Sequence, residues 1–349
     1  MTAGRVAWID HARGVGIVLV AMMYSAEAYG TPDGGGNWLL GLAAWANPIA
    51  IPAFFLIAGL FLHRAVFGSV PVYLDRKVLR LAYFFAVWLA IETVFFHAGA
   101  IFRNPAEFVR LYVSGWVSPQ SPLWFIHELA LFYIVTRLTR RLPASRLLAF
   151  AALFQVLQTA GLVQTGWAVA DRFAEYFVFF YAGYAVVPLV FRFASGVTER
   201  PGDMAKVLAL WFATYTAFVA LGIAGLPVVS LILGFAGACA IIAAGVCLSR
   251  IPAARFAGIA GRHALVIYLG FFIPMHVLQS VLSASHILPD AGTASLVAAA
   301  AALGVSFTLY RVALDTPLRA LYVRPQRLRL KAARSAQRGS LITSPVAEA

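Results

Sequence analysis

Charge is scarce in this sequence: 12% of its 349 residues are Asp, Glu, Lys or Arg, against about a quarter in a soluble domain. Cysteine is scarcer still, with two in the chain. Cys239 and Cys247 share one apolar segment, and on a helix they stand about 12 Å apart along the axis, too far for a disulfide. A disulfide scaffold and redox chemistry are thereby excluded. There is no Gly-rich phosphate loop, no His/Cys cluster at metal-ligand spacing and no internal repeat, so no metal site is expected. What the sequence has instead is apolar side chains, 62% of the total. Neither a soluble enzyme nor a disordered chain carries that much apolar surface, which leaves an all-α, polytopic membrane helix bundle.

Ten apolar segments are long enough, or nearly so, to span a bilayer. They cover 14–29, 38–62, 79–96, 122–136, 147–163, 173–191, 205–223, 228–248, 264–282 and 294–314. The fourth is short and polar at its centre. Pro48 and Pro52 mark the one evident break within a span. The longest connection, 98–121, holds Phe108, Val109, Leu111, Tyr112 and Val113, a pattern suited to a short amphipathic helix lying in the interface.

The net charge of +13 reports topology. With the N-terminus in the cytoplasm, the cytoplasmic segments are 1–13, 63–80, 137–146, 192–206, 249–263 and 311–349. All of the 27 lysines and arginines except Arg103, Arg110 and Arg172 fall on them. Such a bias follows the positive-inside rule and places both termini inside. A cleaved signal peptide is the competing reading of the start, with Arg5 and Arg13 as its basic region and Ala26-Glu27-Ala28 as its cleavage site. Its removal would leave nine helices and invert the charge bias, so the segment is expected to be retained. Residues 1–315 read as one transmembrane domain. Residues 316–349 read as a basic cytoplasmic tail without a fold, in which Arg324, Arg327, Arg329, Lys331, Arg334 and Arg338 meet no acid until Glu348. That tail suits anionic lipid head groups. No nucleic-acid partner is expected, because no folded platform or aromatic interleaving accompanies the charges.

Ionisable groups in apolar segments are costly, and each one is a functional candidate. They are Glu27, Glu92, His127, Glu128, Glu175 and His276. On the first helix Asp10, Arg13, Tyr24 and Glu27 fall along one face, with Arg13 and Tyr24 about 16 Å apart. A stripe of this kind lines a helix interface or a cavity, and its three charges favour the cavity. The fourth segment holds Trp124-Phe125-Ile126-His127-Glu128. His127 suits a general base and Glu128 an orienting carboxylate. Being adjacent, the two point about 100° apart and do not form a dyad. The loop after the second helix carries Asp75-Arg76-Lys77-Val78-Leu79-Arg80, with Lys77 and Arg80 on one helical face. Spaced cations there suit an anion with several phosphates, or simply mark the cytoplasmic side.

Together these residues resemble acyltransferase family 3, a family of integral membrane acyltransferases. Trp8-Ile9-Asp10-His11-Ala12-Arg13-Gly14 is similar to the family's entry into its first helix. Ile51-Pro52-Ala53-Phe54-Phe55-Leu56-Ile57-Ala58-Gly59 resembles its Met-Pro…Phe-Phe…Ser-Gly pattern, with Ala58 where Ser is usual. Lys77-x-x-Arg80 matches its basic pair, and Leu123-Trp124-Phe125, Tyr181-Ala182-Gly183-Tyr184 and Ile267-Tyr268-Leu269 fall at later landmarks. The resemblance spans nearly the whole chain. It implies transfer of an acyl group, commonly acetyl, from acyl-CoA as co-substrate to a hydroxyl of a sugar, glycan or other acceptor, in a bacterial inner membrane.

The family's Arg and His on the first helix, ten residues between them, fall here on Arg13 and on Tyr24. A tyrosine with a pKa near 10 is a poor base. Three readings stay open. His127 or Glu128 takes the proton while Tyr24 donates to the thioester carbonyl; Tyr24 is itself made more acidic; or the chain binds or transports a ligand without catalysis. In the catalytic reading Asp10 positions Arg13, Arg13 orients the donor or stabilises the thioester oxyanion, and Arg76, Lys77 and Arg80 hold the phosphates.

Overall fold

In hydrocarbon, backbone amides and carbonyls find no water, so an apolar chain must satisfy them within its own helices. The computed structural model describes residues 6–29, 36–285, 287–331 and 333, and among these the fold is all-helical. Arg5, Arg334, Arg338 and Glu348 lie outside the described residues.

In chain order the α-helices are α1 (Ala7–Tyr29), α2 (Trp38–Gly59), α3 (His63–Val66), α4 (Val70–Tyr73), α5 (Arg80–Arg103), α6 (Ala106–Val117), α7 (Trp124–Leu138) and α8 (Ala144–Thr159). They continue as α9 (Ala168–Ala185), α10 (Val187–Glu199), α11 (Pro201–Ala220), α12 (Pro227–Leu248), α13 (Arg255–Arg262), α14 (Ala264–Gly270), α15 (Phe272–Ser285) and α16 (Ala291–Ala313). Each of the ten apolar segments falls on one of these helices or on a bent pair. Among the described residues, four helices are long and apolar enough to cross a membrane by length and composition, and six spans result if each bent pair is one.

The bends are not where Pro48 and Pro52 suggested. Those two prolines lie inside the continuous helix α2. The chain turns by 77° between α9 and α10 and by 50° between α14 and α15. Each bend precedes a proline, Pro188 or Pro274, whose ring removes a donor and clashes with the carbonyl four residues earlier. At the second bend Phe271 is wholly buried, so the interrupted backbone is covered by protein. α16 starts from Asp290, whose carboxylate accepts the Thr293 hydroxyl at 2.7 Å and its N–H at 2.8 Å. Those bonds hold the Asp290 carboxyl below its usual range.

The chain divides into two compact units. The first comprises residues 1–61 and 144–310. There α1 approaches its neighbours backbone to backbone: a Cβ at Gly261 of α13 would overlap the Asp10 carbonyl, and one at Gly14 would overlap the carbonyl of Ala257. α2 and α9 meet likewise through Gly59 and Gly183. Small residues substitute here for a hydrophobic driving force, which is missing between helices in lipid. A polar clasp ties α1 to α15 and α16. The Gln279 amide donates to the Ser25 carbonyl at 2.8 Å and its Oγ at 3.0 Å, and the Ser25 hydroxyl donates to the Ser295 carbonyl at 2.7 Å.

The second unit comprises residues 62–143 and 311–349. α6 forms within the connection expected to hold an amphipathic helix. Gly115 packs on Leu89 and Trp116 on Phe85, while Val109, Val113 and Val117 form an exposed stripe. The segment expected to be a tail without a fold is packed as far as residue 330. The Tyr83 hydroxyl donates to the Ala320 carbonyl and the Trp88 indole to that of Leu321. Trp88 also lies against Tyr322, whose hydroxyl burial pushes up to about 12.

The close approaches predict a contrast. Gly261→Ala forces backbone apart and is expected to cost about 1–3 kcal/mol, while Gly304→Ala in α16, where a Cβ meets open space, is expected to be neutral or to stabilise by up to about 1 kcal/mol. Thermal unfolding of the two variants in detergent checks this.

Candidate functional site

The sequence candidates divide between the units, Asp10, Arg13 and Tyr24 in the first and Arg76, Lys77, Arg80, His127 and Glu128 in the second. In the first unit, α1 is continuous across the stripe, so Arg13 and Tyr24 keep their helical relation. The Arg13 guanidinium stands over the Phe61 ring at 4.9 Å, an arrangement that desolvates a cation at modest cost. Asp10 is half-buried beside the α13 crossing. Glu27, at the far end, is exposed, so the stripe is not uniformly enclosed.

Tyr24 is half-buried at the bend of α14 and α15, its ring 6.1 Å from those of both Phe271 and Phe272. It is electrostatically coupled to Tyr176 of α9, which is hydrogen-bonded to Glu175 and stacked on Phe55 at 5.6 Å. On its far side Phe272 meets the His276 imidazole edge-on at 4.6 Å. Tyr24 thus sits in an aromatic wall whose next members are a histidine and a tyrosine–carboxyl pair. Sequence cost singled out Glu175 and His276, but not their neighbours. Tyr176, Phe272 and the Ser25–Gln279 clasp carried no signal beyond polar or aromatic residues in an apolar run.

In the second unit, His127 lies against Phe85 at 5.1 Å and Trp116 at 6.5 Å, and Glu128 is wholly buried. Glu92, two turns beyond Phe85 on α5, is 4% exposed and hydrogen-bonded to Ser121. A carboxyl so enclosed is costly and is held where a polar neighbour repays part of that cost.

The basic motif departs from an ordinary helix. Residues Leu74–Leu79 form a π-helical turn, a rare element found often at functional sites. The expectation that Lys77 and Arg80 share a face rested on α-helical spacing, which this turn changes. Lys77 stands over the Tyr133 ring of α7 at 5.3 Å, while Arg80, exposed, stands over Phe84 of its own helix at 5.9 Å and interacts electrostatically with Tyr133. Arg76 is exposed beside them. Tyr133 is fixed in turn, its carbonyl accepting the Tyr73 hydroxyl at 2.6 Å. Arg137 stands over Tyr73 at 4.7 Å and donates to the carbonyls of Val66 and Gly68 at 2.6 and 2.7 Å.

The turn has a buried anchor that sequence did not reveal. Asp75, 3% exposed, pairs with Arg324 at 3.2 Å, and Arg324, 9% exposed, also donates to the Asp75 carbonyl at 3.0 Å. The second guanidinium nitrogen of Arg324 donates to the Leu328 carbonyl. Asp75 Oδ1 further accepts the Leu330 N–H at 2.8 Å. Arg324 looked like one of a run of tail cations, and nothing in its local pattern distinguishes it from Arg327.

A family profile described as an acyltransferase domain, that of acyltransferase family 3, matches residues 6–311. No curated protein and no solved structure matches the chain.

Arg324→Leu leaves the Asp75 carboxylate buried without its counter-ion and is expected to cost about 3–5 kcal/mol, whereas replacing both partners by apolar residues is expected to cost less than the two single changes together. Unfolding of the two single variants and the double variant measures that coupling.

Proposed function

This chain belongs to acyltransferase family 3, and we propose that it moves an acyl group, acetyl by preference, from acyl-CoA to a hydroxyl of a sugar, glycan or similar envelope acceptor in a bacterial inner membrane. The protein is an all-α multi-pass membrane protein of acyltransferase type. Donor, acceptor and location are our reading. The bias of basic residues to alternate connections supports cytoplasmic termini and a donor drawn from that side.

The observation that supports the donor most directly is the gathering of Lys77 and Arg80 about Tyr133. Lys77, half-buried against an aromatic ring, is already partly stripped of water, and Arg80 stands exposed over Phe84, so a polyphosphate meets one preorganised cation and a second open to it. In this reading Arg76, Lys77 and Arg80 hold the coenzyme's phosphates. Arg13 orients the donor or stabilises the oxyanion that forms on the thioester carbonyl, with Asp10 positioning it. The acceptor oxygen bonds to the carbonyl carbon, the carbon–sulfur bond breaks, and the hydroxyl proton passes through a base to the departing thiolate. His127 is the proposed base and Glu128 its orienting carboxylate, while Tyr24 serves as a hydrogen-bond donor.

A second reading, ligand binding or transport without transfer, draws on Tyr24 at the family's histidine position and on the helix bend beside it. Broken helices line substrate paths in transporters.

Acetyl-CoA binding only to the folded protein raises its melting temperature by mass action. The rise is expected for the wild type and is expected to be lost in Lys77→Ala/Arg80→Ala. No rise with any acyl-CoA, in a protein that melts cooperatively, decides for the second reading. Arg13→Ala and His127→Ala are each expected to lower acyl transfer at least about a hundredfold at unchanged expression. Transfer unchanged in both removes these residue roles.

A further inference from the structure

The donor reading uses three cations from the π-helical turn and its end, yet the same unit brings a further one to them from far along the sequence. The buried Asp75–Arg324 pair fastens residues 324–330 against the turn that carries Lys77. The segment is closed on itself by the bond from Arg324 to the Leu328 carbonyl and by a short 3-10 turn over Gln326–Leu328. The Leu330 N–H then returns to Asp75 Oδ1 at 2.8 Å. Arg329, the residue before it, is therefore held within one residue of a fixed contact to the turn. It is half-buried, and its charge lies close enough to Arg80 for the two guanidiniums to repel.

Cations brought to one place by a buried clasp favour an anion that accepts from both, through attraction and charge-assisted hydrogen bonds. Arg327 makes the comparison. It lies two residues from Arg329 and is exposed on the 3-10 turn.

We propose that Arg329 joins Lys77 and Arg80 in one phosphate-binding site, and that the Asp75–Arg324 pair positions it there. The segment past residue 315 is then part of the donor site. This rests on the donor reading above for the identity of the ligand, though not for the site itself. The shared chemistry is a cluster of phosphate oxygens, and the source argued for is the phosphates of coenzyme A. An anionic lipid head group carries the same chemistry, and the experiment separates the two.

The full chain is purified in detergent, and its affinity is measured for CoA, for acetyl-pantetheine (which lacks the nucleotide phosphates) and for inorganic pyrophosphate. Wild type is compared with Arg329→Ala, Arg329→Lys and Arg327→Ala. Removing one charge-assisted contact is expected to weaken CoA about tenfold in Arg329→Ala. Arg329→Lys is expected to recover part of the loss, Arg327→Ala to bind as wild type, and acetyl-pantetheine to be indifferent to all three. CoA binding equal in wild type and Arg329→Ala overturns the inference and leaves the donor reading standing. So does an equal loss in Arg327→Ala, which would report net charge alone.

If wild type binds no CoA, the donor reading fails by itself. Pyrophosphate then decides: binding that Arg329→Ala weakens keeps the three-cation site, and binding that it does not weaken overturns it. In nanodiscs, a stabilisation by phosphatidylglycerol over phosphatidylcholine that Arg329→Ala abolishes, with CoA binding unchanged, assigns Arg329 to lipid and overturns the proposal.

Discussion

An amide or carbonyl without a partner is too costly in hydrocarbon to be left exposed, and this constraint governs where the chain departs from regular helix. At two of the places where the regular ladder is interrupted, protein packs against the interruption. At the bend before α15 the cover is Phe271, wholly buried, with Tyr24 and Phe272 on either side. At the π-helical turn it is a salt bridge and the Leu330 amide, both directed at Asp75. Tyr24 lies at the first of these places and Arg76, Lys77 and Arg80 at the second, whereas Arg13 and His127 project from regular helix. Irregular backbone needs side chains to enclose it, and the enclosures are where polar groups can be held away from water.

Each of the ten apolar runs coincides with a helix or a bent pair, and four to six of these, among the described residues, are long and apolar enough to cross a membrane. Length and hydrophobicity sufficed because a membrane segment has few other solutions. The positions of the bends were not legible in the same way. Pro48 and Pro52 look as disruptive as Pro188 and Pro274 on the page, yet α2 runs through its pair unbroken. What differs is the neighbourhood each helix packs into, and sequence order does not carry that.

For the candidate residues, legibility followed cost. His127, Glu128, Glu175 and His276 stood out because an ionisable side chain in an apolar run demands a reason. Arg13, Tyr24, Lys77 and Arg80 stood out through their place in a family pattern that proved to cover most of the chain. Arg324 did neither. It lay among similar cations after the last apolar segment, and its partner Asp75 lay in a basic loop. A buried pair formed across such a distance leaves no periodic or compositional trace at either end. The same holds for the Ser25–Gln279 clasp, whose members are ordinary polar residues until they meet.

The Asp75–Arg324 bridge joins residues 249 positions apart, and a ribosome delivers them in that order. At about 5–20 residues per second, roughly ten to fifty seconds pass between the synthesis of the carboxylate and that of its counter-ion. Throughout that interval the π-helical turn holds an acid whose native partner does not yet exist, so the second unit cannot close until the segment that carries Arg324 has been made. Its maturation is timed by a segment translated after all of the helices α1 to α16, and a message cut short before Arg324 would yield those helices and still leave this unit unfinished.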